Sequence, residues 1–465
     1  MTKRPAPADV LKDLWSGAGM APDALERASL TGTDPVLPSS FAVGTAAQTS
    51  IAAAALAATE IGRLRNGLVQ GVAVAMVHAA LECRGYFKID GRVPEQWDKL
   101  SGLYRCRYGW VRIHANFAHH RDGALRLLGL AEGKGTERPA VEAALLTRGA
   151  LEFESAAAQA GLVVAALRTF EEWDLLAHAA AVAAQPLITF ERIGDAPPRV
   201  LPPLPAQALP LSGLRVLDLT RILAGPIGGR TLAAYGADVL LVNSPNLPNI
   251  ESIIETSRGK LSCHVDLTTD GGRAALRSLL EDAHVFVQGY RPGGIAAQGF
   301  GAEGVARLRP GIVYVSLSAY GHTGPWAGRR GFDSLVQAAT GFNLAEAAAA
   351  GSDQPRALPM QILDYATGYL IAFAAQAALL RQAREGGSWH ARVSLVRTGR
   401  WIRDLERVEN AFAVPVPSIP GSMETTASGW GELLASRHAA QLSQTPVAWA
   451  RPSVKPGTHP PRWPG

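Results

Sequence analysis

The stretch "LRVLDLTRILAGPIGGRTLAAYGADVLLV", residues 214–242, reads as a strand, a Gly/Pro turn, a helix and a second strand. The runs "LRVLDLT" (214–220) and "DVLLV" (238–242) are short and rich in Leu and Val. Between them "GGRTLAAYGA" has the small and apolar residues of a helix packed on a sheet. The pattern continues outward. "HVFVQGY" (284–290) and "IVYVSLSAYG" (312–321) are a third and a fourth strand, with helical segments "GGRAALRSLLED" and "AEGVARL" between. Strands alternating with helices at this spacing predict a parallel sheet of βαβ units. No G-x-G-x-x-G follows the first strand, which argues against a nicotinamide cofactor. The sheet retains the general capacity of open α/β folds to bind a nucleotide-like ligand beyond its strand ends.

The chain has 465 residues, enough for two to four domains, with 47% hydrophobic and 18% charged residues. Its net charge is +5, but the basic residues are scattered. That suits an anionic small ligand and not a nucleic-acid groove. Cys83, Cys106 and Cys263 lie far apart without a C-x-x-C pair, so the sequence predicts no zinc site and no disulfide framework, and a reducing cytoplasm. No secretory leader is read in "MTKRPAPADVLKDLW", and neither alanine-rich run supplies an uninterrupted membrane span.

A proline-rich seam, "DAPPRVLPPLPAQALPLSG" (195–213), divides the chain. It separates an N-terminal half (1–194) from the sheet region (214–400), after which residues 401–465 read as a helical segment and an extended tail. Residues 37–75 can be laid without a gap on residues 358–396, an alanine-rich helix matching an alanine-rich helix. In that register Val43 faces Asp364.

Asp364 poses the chemical question. It stands in "ALPMQILDYATGYLIAF" (357–373), ahead of a helix expected from about Tyr369 to Leu380. Burying an ionised carboxylate costs several kcal/mol unless it is paired. Asp364 is therefore a helix N-cap, a structural partner or a reactive group.

Seven motifs in order, "GLRVLDLTRILAGP", "LAAYGADVLLV", "SRGKLSCHVDL", "GGRAALRSLLEDAHVFVQGYRPGG", "GIVYVSLSAYGHTGPW", "GFDSLVQAATG" and "DYATG", resemble the class III CoA-transferases, the formyl-CoA/carnitine-CoA transferase group. The resemblance runs from about residue 212 to 396. "YRCRYGWVRIHANF" (104–117) and "PLITFERIGDAPPR" resemble pieces that follow the catalytic region in that family. The resemblance thus implies a Rossmann-like α/β sheet with helices on both faces plus a smaller α+β domain, in an interlocked or permuted arrangement. It also implies a homodimer.

The resemblance makes Asp364 the nucleophile, acting on acyl-CoA and a carboxylic acid, with coenzyme A as the substrate carrier and no metal, membrane or nucleic-acid partner. It places the CoA groove along Leu223 and Ala224, along Ser257, Arg258, Gly259 and Lys260, and along Gly289, Tyr290 and Arg291. Departures from the pattern include Leu223 before the A-G-P turn, Asn243-Ser244 after the second strand, and Gln288-Gly289. Phe332 replaces the histidine that racemases of the group use as a proton-transfer group, which favours transfer over racemisation. Racemase or hydrolase chemistry on the same fold, or a non-catalytic CoA-binding subunit, stand as alternatives. His119 and His120, near Asp122, suggest a metal or a base, but adjacent residues project in different directions and do not suit bidentate metal binding; they read as surface or helix-entry residues of the small domain.

Overall fold

The computed structural model describes all residues except 1–3, 206, 419 and 465. Its main sheet has seven strands: β1 (Thr189–Gly194), β2 (Arg215–Leu219), β3 (Asp238–Asn243), β4 (Leu261–His264), β5 (Val285–Gln288), β6 (Val313–Ser318) and β7 (Ser388–Ser394). They lie in the order β4-β3-β2-β5-β6-β7-β1. β2 to β7 are parallel, and β1 closes the edge antiparallel to β7. The parallel part has the winding of a dinucleotide-binding sheet, with the strand order reversing between β2 and β5. β4, inside "SRGKLSCHVDL", is a strand that the periodicity alone did not disclose.

Four helices place the site: α1 (Val43–Asn66), α2 (Ala224–Ala234), α3 (Asp333–Thr340) and α4 (Ile362–Glu385). α4 begins seven residues earlier than expected, so Asp364 lies within its first turn and Gln361 is the N-cap. Among the described residues α4 is the one helix long and apolar enough to cross a membrane; its apolar window is wholly buried in the fold. Alanine favours helix and lets backbones approach closely, and α1 packs along α4.

α1 and α4 are each 24 residues long and start from nearly the same backbone turn, φ −76°, ψ 56° at Ala42 and φ −77°, ψ 59° at Gln361. Each has an aspartate receiving its first-turn amides. Asp34 accepts from Gly44 and Thr45 at 3.0 and 2.8 Å, and Asp333 accepts from Leu363 and Asp364. The helix starts therefore pair Thr45, not Val43, with Asp364, correcting the ungapped register by two residues.

The proline-rich seam is strapped to both helices: Arg65 donates to the carbonyls of Pro202 and Pro210, and Gln382 to that of Pro197. In the N-terminal half a three-stranded antiparallel sheet (Gly102–Arg105, Trp110–Ile113, Val164–Ala166) encloses its own core around Tyr104, Val111 and Phe153. A helix, Leu395–Asp404, spans the boundary expected at residue 400, and the C-terminal segment then forms a hairpin, Met423–Ser428 and Gly431–Ser436, that the sequence reading did not foresee. That hairpin pairs with Phe87–Ile89, and Ala440–Leu442 pairs with Val72–Ala75. Trp463 fixes the tail by donating to the Leu279 carbonyl.

Candidate active site

The loop from β2 into α2 carries the local strain. Ile222 has φ +78°, a left-handed conformation that a β-branched residue adopts only when its surroundings impose it. Lys260 holds the far side of this loop. Its ammonium group donates to Asp218 Oδ2 at 2.8 Å and to the Pro226 carbonyl at 2.7 Å, with both side chains fully buried. The end of β2 and the first turn of α2 are thereby clamped together.

Two glycines let α2 meet α4. A Cβ on Gly368 would lie 2.7 Å from the Ala224 carbonyl oxygen, and one on Gly228 2.6 Å from Ile371 Cγ2. Only glycine permits this approach, and "DYATG" ends in glycine for that reason. The approach lets the Ala224 backbone amide, at the N-terminus of α2, hydrogen-bond the carboxylate of Asp364. Helix N-terminal amides and the helix dipole both favour negative charge there.

A second acid faces the first. Asp333, fully buried at the start of α3, accepts the Asp364 amide at 3.0 Å and is also bonded by the Leu363 amide and the Gln337 side chain. Burial pushes the Asp333 carboxyl up to about 7, its hydrogen bonds opposing the shift. Burial, then the charge of Asp333, pushes Asp364 well above the usual carboxylate range, against the Ala224 amide. Asp333 has more donors, so it holds the charge when the pair carries one proton. Asp364 is not the helix cap that its place before an apolar run suggested.

A cavity of about 330 Å³ opens beyond the carboxyl ends of β2, β5 and β6, at the reversal of strand order. Gly289, Tyr290 and Arg291 line it, with Arg221, Ile222, Arg329, Arg330 and Phe332. No carboxylate lines it among the described residues. Arg329 stacks on Trp326 at 3.8 Å, while Arg291 and Arg330 have no ion-pair partner among the described residues. The N-terminal half supplies Phe117, His119 and His120 to the same wall, in the same chain. Phe332 lines this cavity and is followed in the chain by Asp333; neither Asp333 nor Asp364 lines it, and Asp364 is 7% exposed.

The other positions fall elsewhere. Leu223 and Ala224 sit beneath the loop at the start of α2. Ser257, Arg258, Gly259 and Lys260 are not brought to the cavity. Ser257 donates to the Ile253 carbonyl at 2.7 Å. Arg258 pairs with Glu255, donates to the Ser436 carbonyl at 2.8 Å and stacks on Trp449 at 3.8 Å. Gly259, φ +78°, packs against Trp449. Asp333, Arg330 and His120 join the site without having been assigned to it. Asp333 and Arg330 lie in or beside a quoted motif, but nothing in the sequence alone tells a buried partner from a surface charge.

The CoA-transferase family III profile matches residues 26–198 and 211–429. The chain belongs to CoA-transferase family III. Curated relatives include an acetyl-coenzyme A transferase of Hypoxylon pulicicidum, 36% identical over 42% of this chain and 33% of the relative. A probable fatty acyl-CoA transferase of Mycobacterium tuberculosis is 34% identical over 40% and 50%. A succinate–glutarate CoA-transferase of Agrobacterium fabrum is 34% identical over 42% and 52%. The orthorhombic crystal structure of the mycobacterial protein aligns over 43% of this chain and 59% of that one at 32% identity, with a TM-score of 0.39. This family III chain spans from one third to about half the length of these curated relatives.

Proposed function

We propose that this family III chain transfers CoA from an acyl-CoA to a free carboxylic acid, with Asp364 as the nucleophile. The observation that carries the reading is the placement of the buried Asp364 between the Ala224 amide and Asp333, the residue that follows Phe332 of the cationic cavity. Asp364 reacts in its ionised form, its proton having passed to solvent, and one carboxylate oxygen attacks the thioester carbonyl. The C–S bond breaks, leaving an aspartyl–acyl anhydride and CoA thiolate. The thiolate attacks the aspartyl carbonyl, releasing the donor acid and forming an aspartyl-CoA thioester. An incoming carboxylate attacks that thioester, and the thiolate then takes the new acyl group from the second anhydride. Splitting one exchange into such steps is covalent catalysis.

The residues present suit those steps. The Ala224 amide and the N-terminus of α2 stabilise negative charge on the aspartyl oxygen. Burial withholds water, which would hydrolyse the anhydride. Arg291 and Arg330 offer guanidinium groups without an ion-pair partner among the described residues for the CoA phosphates. Phe332 supplies no base for racemisation, and His114 stacks behind it at 4.1 Å instead of lining the cavity. The buried free cysteines accord with the proposed cytoplasmic setting, and the homodimer is likewise part of this proposal. Incubation with a panel of acyl-CoAs and acids tests the reading: acid-dependent exchange supports it, and exchange undiminished in Asp364→Ala refutes it.

A further inference from the structure

Gln337 stands one helical turn after Asp333 on α3, on the same face, and is fully buried. Both ends of its side-chain amide are engaged. The oxygen accepts the backbone amide of Leu358 at 3.0 Å, and the nitrogen donates to Asp333 Oδ1. A backbone N–H can only donate, so Leu358 compels the oxygen of Gln337 to face it and leaves the nitrogen for Asp333. Leu358 is itself buried, in the segment that leads into α4 and Asp364. The two oxygens of Asp333 are thus both tied to that segment, Oδ2 directly by the Asp364 amide and Oδ1 through Gln337 and Leu358.

This arrangement bears on where the pair keeps its proton. A donor aimed at a carboxylate favours the ionised form. A proton added to Asp333 Oδ1 would meet the Gln337 N–H, donor against donor, and Gln337 cannot turn its oxygen round without abandoning Leu358. The Asp364 carboxylate has the Ala224 amide as its donor and faces the charge of Asp333. In the singly protonated pair the charge therefore settles on Asp333 and the proton on Asp364. From the strand Trp110–Ile113, Arg112 acts on Asp333 in the same direction through its positive charge. His114 of that strand, stacked on Phe332, is pushed down to about 3 by burial and stays neutral.

We propose that Gln337 is a positioning residue that, by donating to Asp333, keeps the proton of the acid pair on Asp364 and so sets the pH at which the nucleophile ionises. The inference rests on the transferase reading for the role of Asp364, and its first readout needs no turnover. Carboxyl resonances of 13C-aspartate-labelled full chain are followed against pH, with Asp333→Asn and Asp364→Asn to assign them. In wild type Asp333 should lose its proton at lower pH than Asp364. Gln337→Met keeps the bulk and removes the donor. Its Asp333 midpoint should rise by about one pH unit or more, and its Asp364 midpoint should fall towards it. The pH–rate curve of CoA exchange should then begin to rise at lower pH. Adding Gln337→Met to Asp333→Asn should move that curve no further, because no charge is left for Gln337 to stabilise. A merely structural Gln337 would lower Tm and rate in both backgrounds and leave the midpoints in place. Unmoved midpoints in Gln337→Met, or Asp364 titrating before Asp333 in wild type, overturn the proposal. If Gln337→Met does not fold, the wild-type Gln337 side-chain N–H resonance decides: it should shift with the Asp333 midpoint, and indifference to it overturns the proposal. The expected midpoints without any CoA exchange would count against the transferase reading alone.

Discussion

Asp333 Oδ2 accepts the backbone amide of Asp364 at 3.0 Å, so one acid of the pair fixes the backbone of the other while opposing its ionisation. Positioning and charge are thereby coupled in a single contact.

That coupling gives a pH prediction. The folded-state value of Asp333 lies near 7 because of burial, above the unfolded value of about 4. Between those values the folded state binds the extra proton, so stability falls as pH rises. Asp333→Asn keeps an acceptor for the Asp364 amide and cannot ionise. Thermal melts from pH 4.5 to 8 should show a shallower decline in Asp333→Asn. Its CoA-exchange rate should also begin to rise at lower pH, since Asp364 no longer faces a second charge.

The cations should separate into two classes. Lys260→Met leaves the buried Asp218 unpaired, at a cost of about 3–5 kcal/mol, and should appear first as a lowered Tm. Arg291→Ala and Arg330→Ala remove groups without internal partners. Each should weaken CoA binding about tenfold or more with little change in Tm. Calorimetric binding and melting curves on the same preparations check the division; a Lys260→Met protein of normal stability and weakened CoA affinity would return Lys260 to the phosphate site.

Gly368→Ala tests the helix contact. The added methyl meets the Ala224 carbonyl at 2.7 Å and Ile227 Cγ2 at 2.6 Å, so α2 must move away from α4. The expected cost is about 1–3 kcal/mol, with exchange activity falling further than the Tm shift explains, because the Ala224 amide leaves Asp364.

The parallel strands β2, β3, β5 and β6 were legible because each is a short apolar run with a turn on either side, as at 214–220 and 238–242; β4 was not. The start of α4 was not. Gln361 offers no side-chain cap, and the first-turn amides are received by Asp333, which lies 31 residues before Asp364. The partner of Lys260 was hidden for a related reason: a lysine in a Gly-containing turn looks solvated, and only the fold reveals Asp218 beside it. The cis-acting wall from Phe117 to His120 depends on packing between halves of the chain, which local pattern does not encode.

The central claim is that Asp364 becomes covalently acylated. Mass spectrometry of protein turning over acyl-CoA and acid in the presence of hydroxylamine tests it most directly. The account predicts a hydroxamate on Asp364 that requires acyl-CoA. Sustained exchange with Asp364 unlabelled, or with the label on another residue, would contradict it.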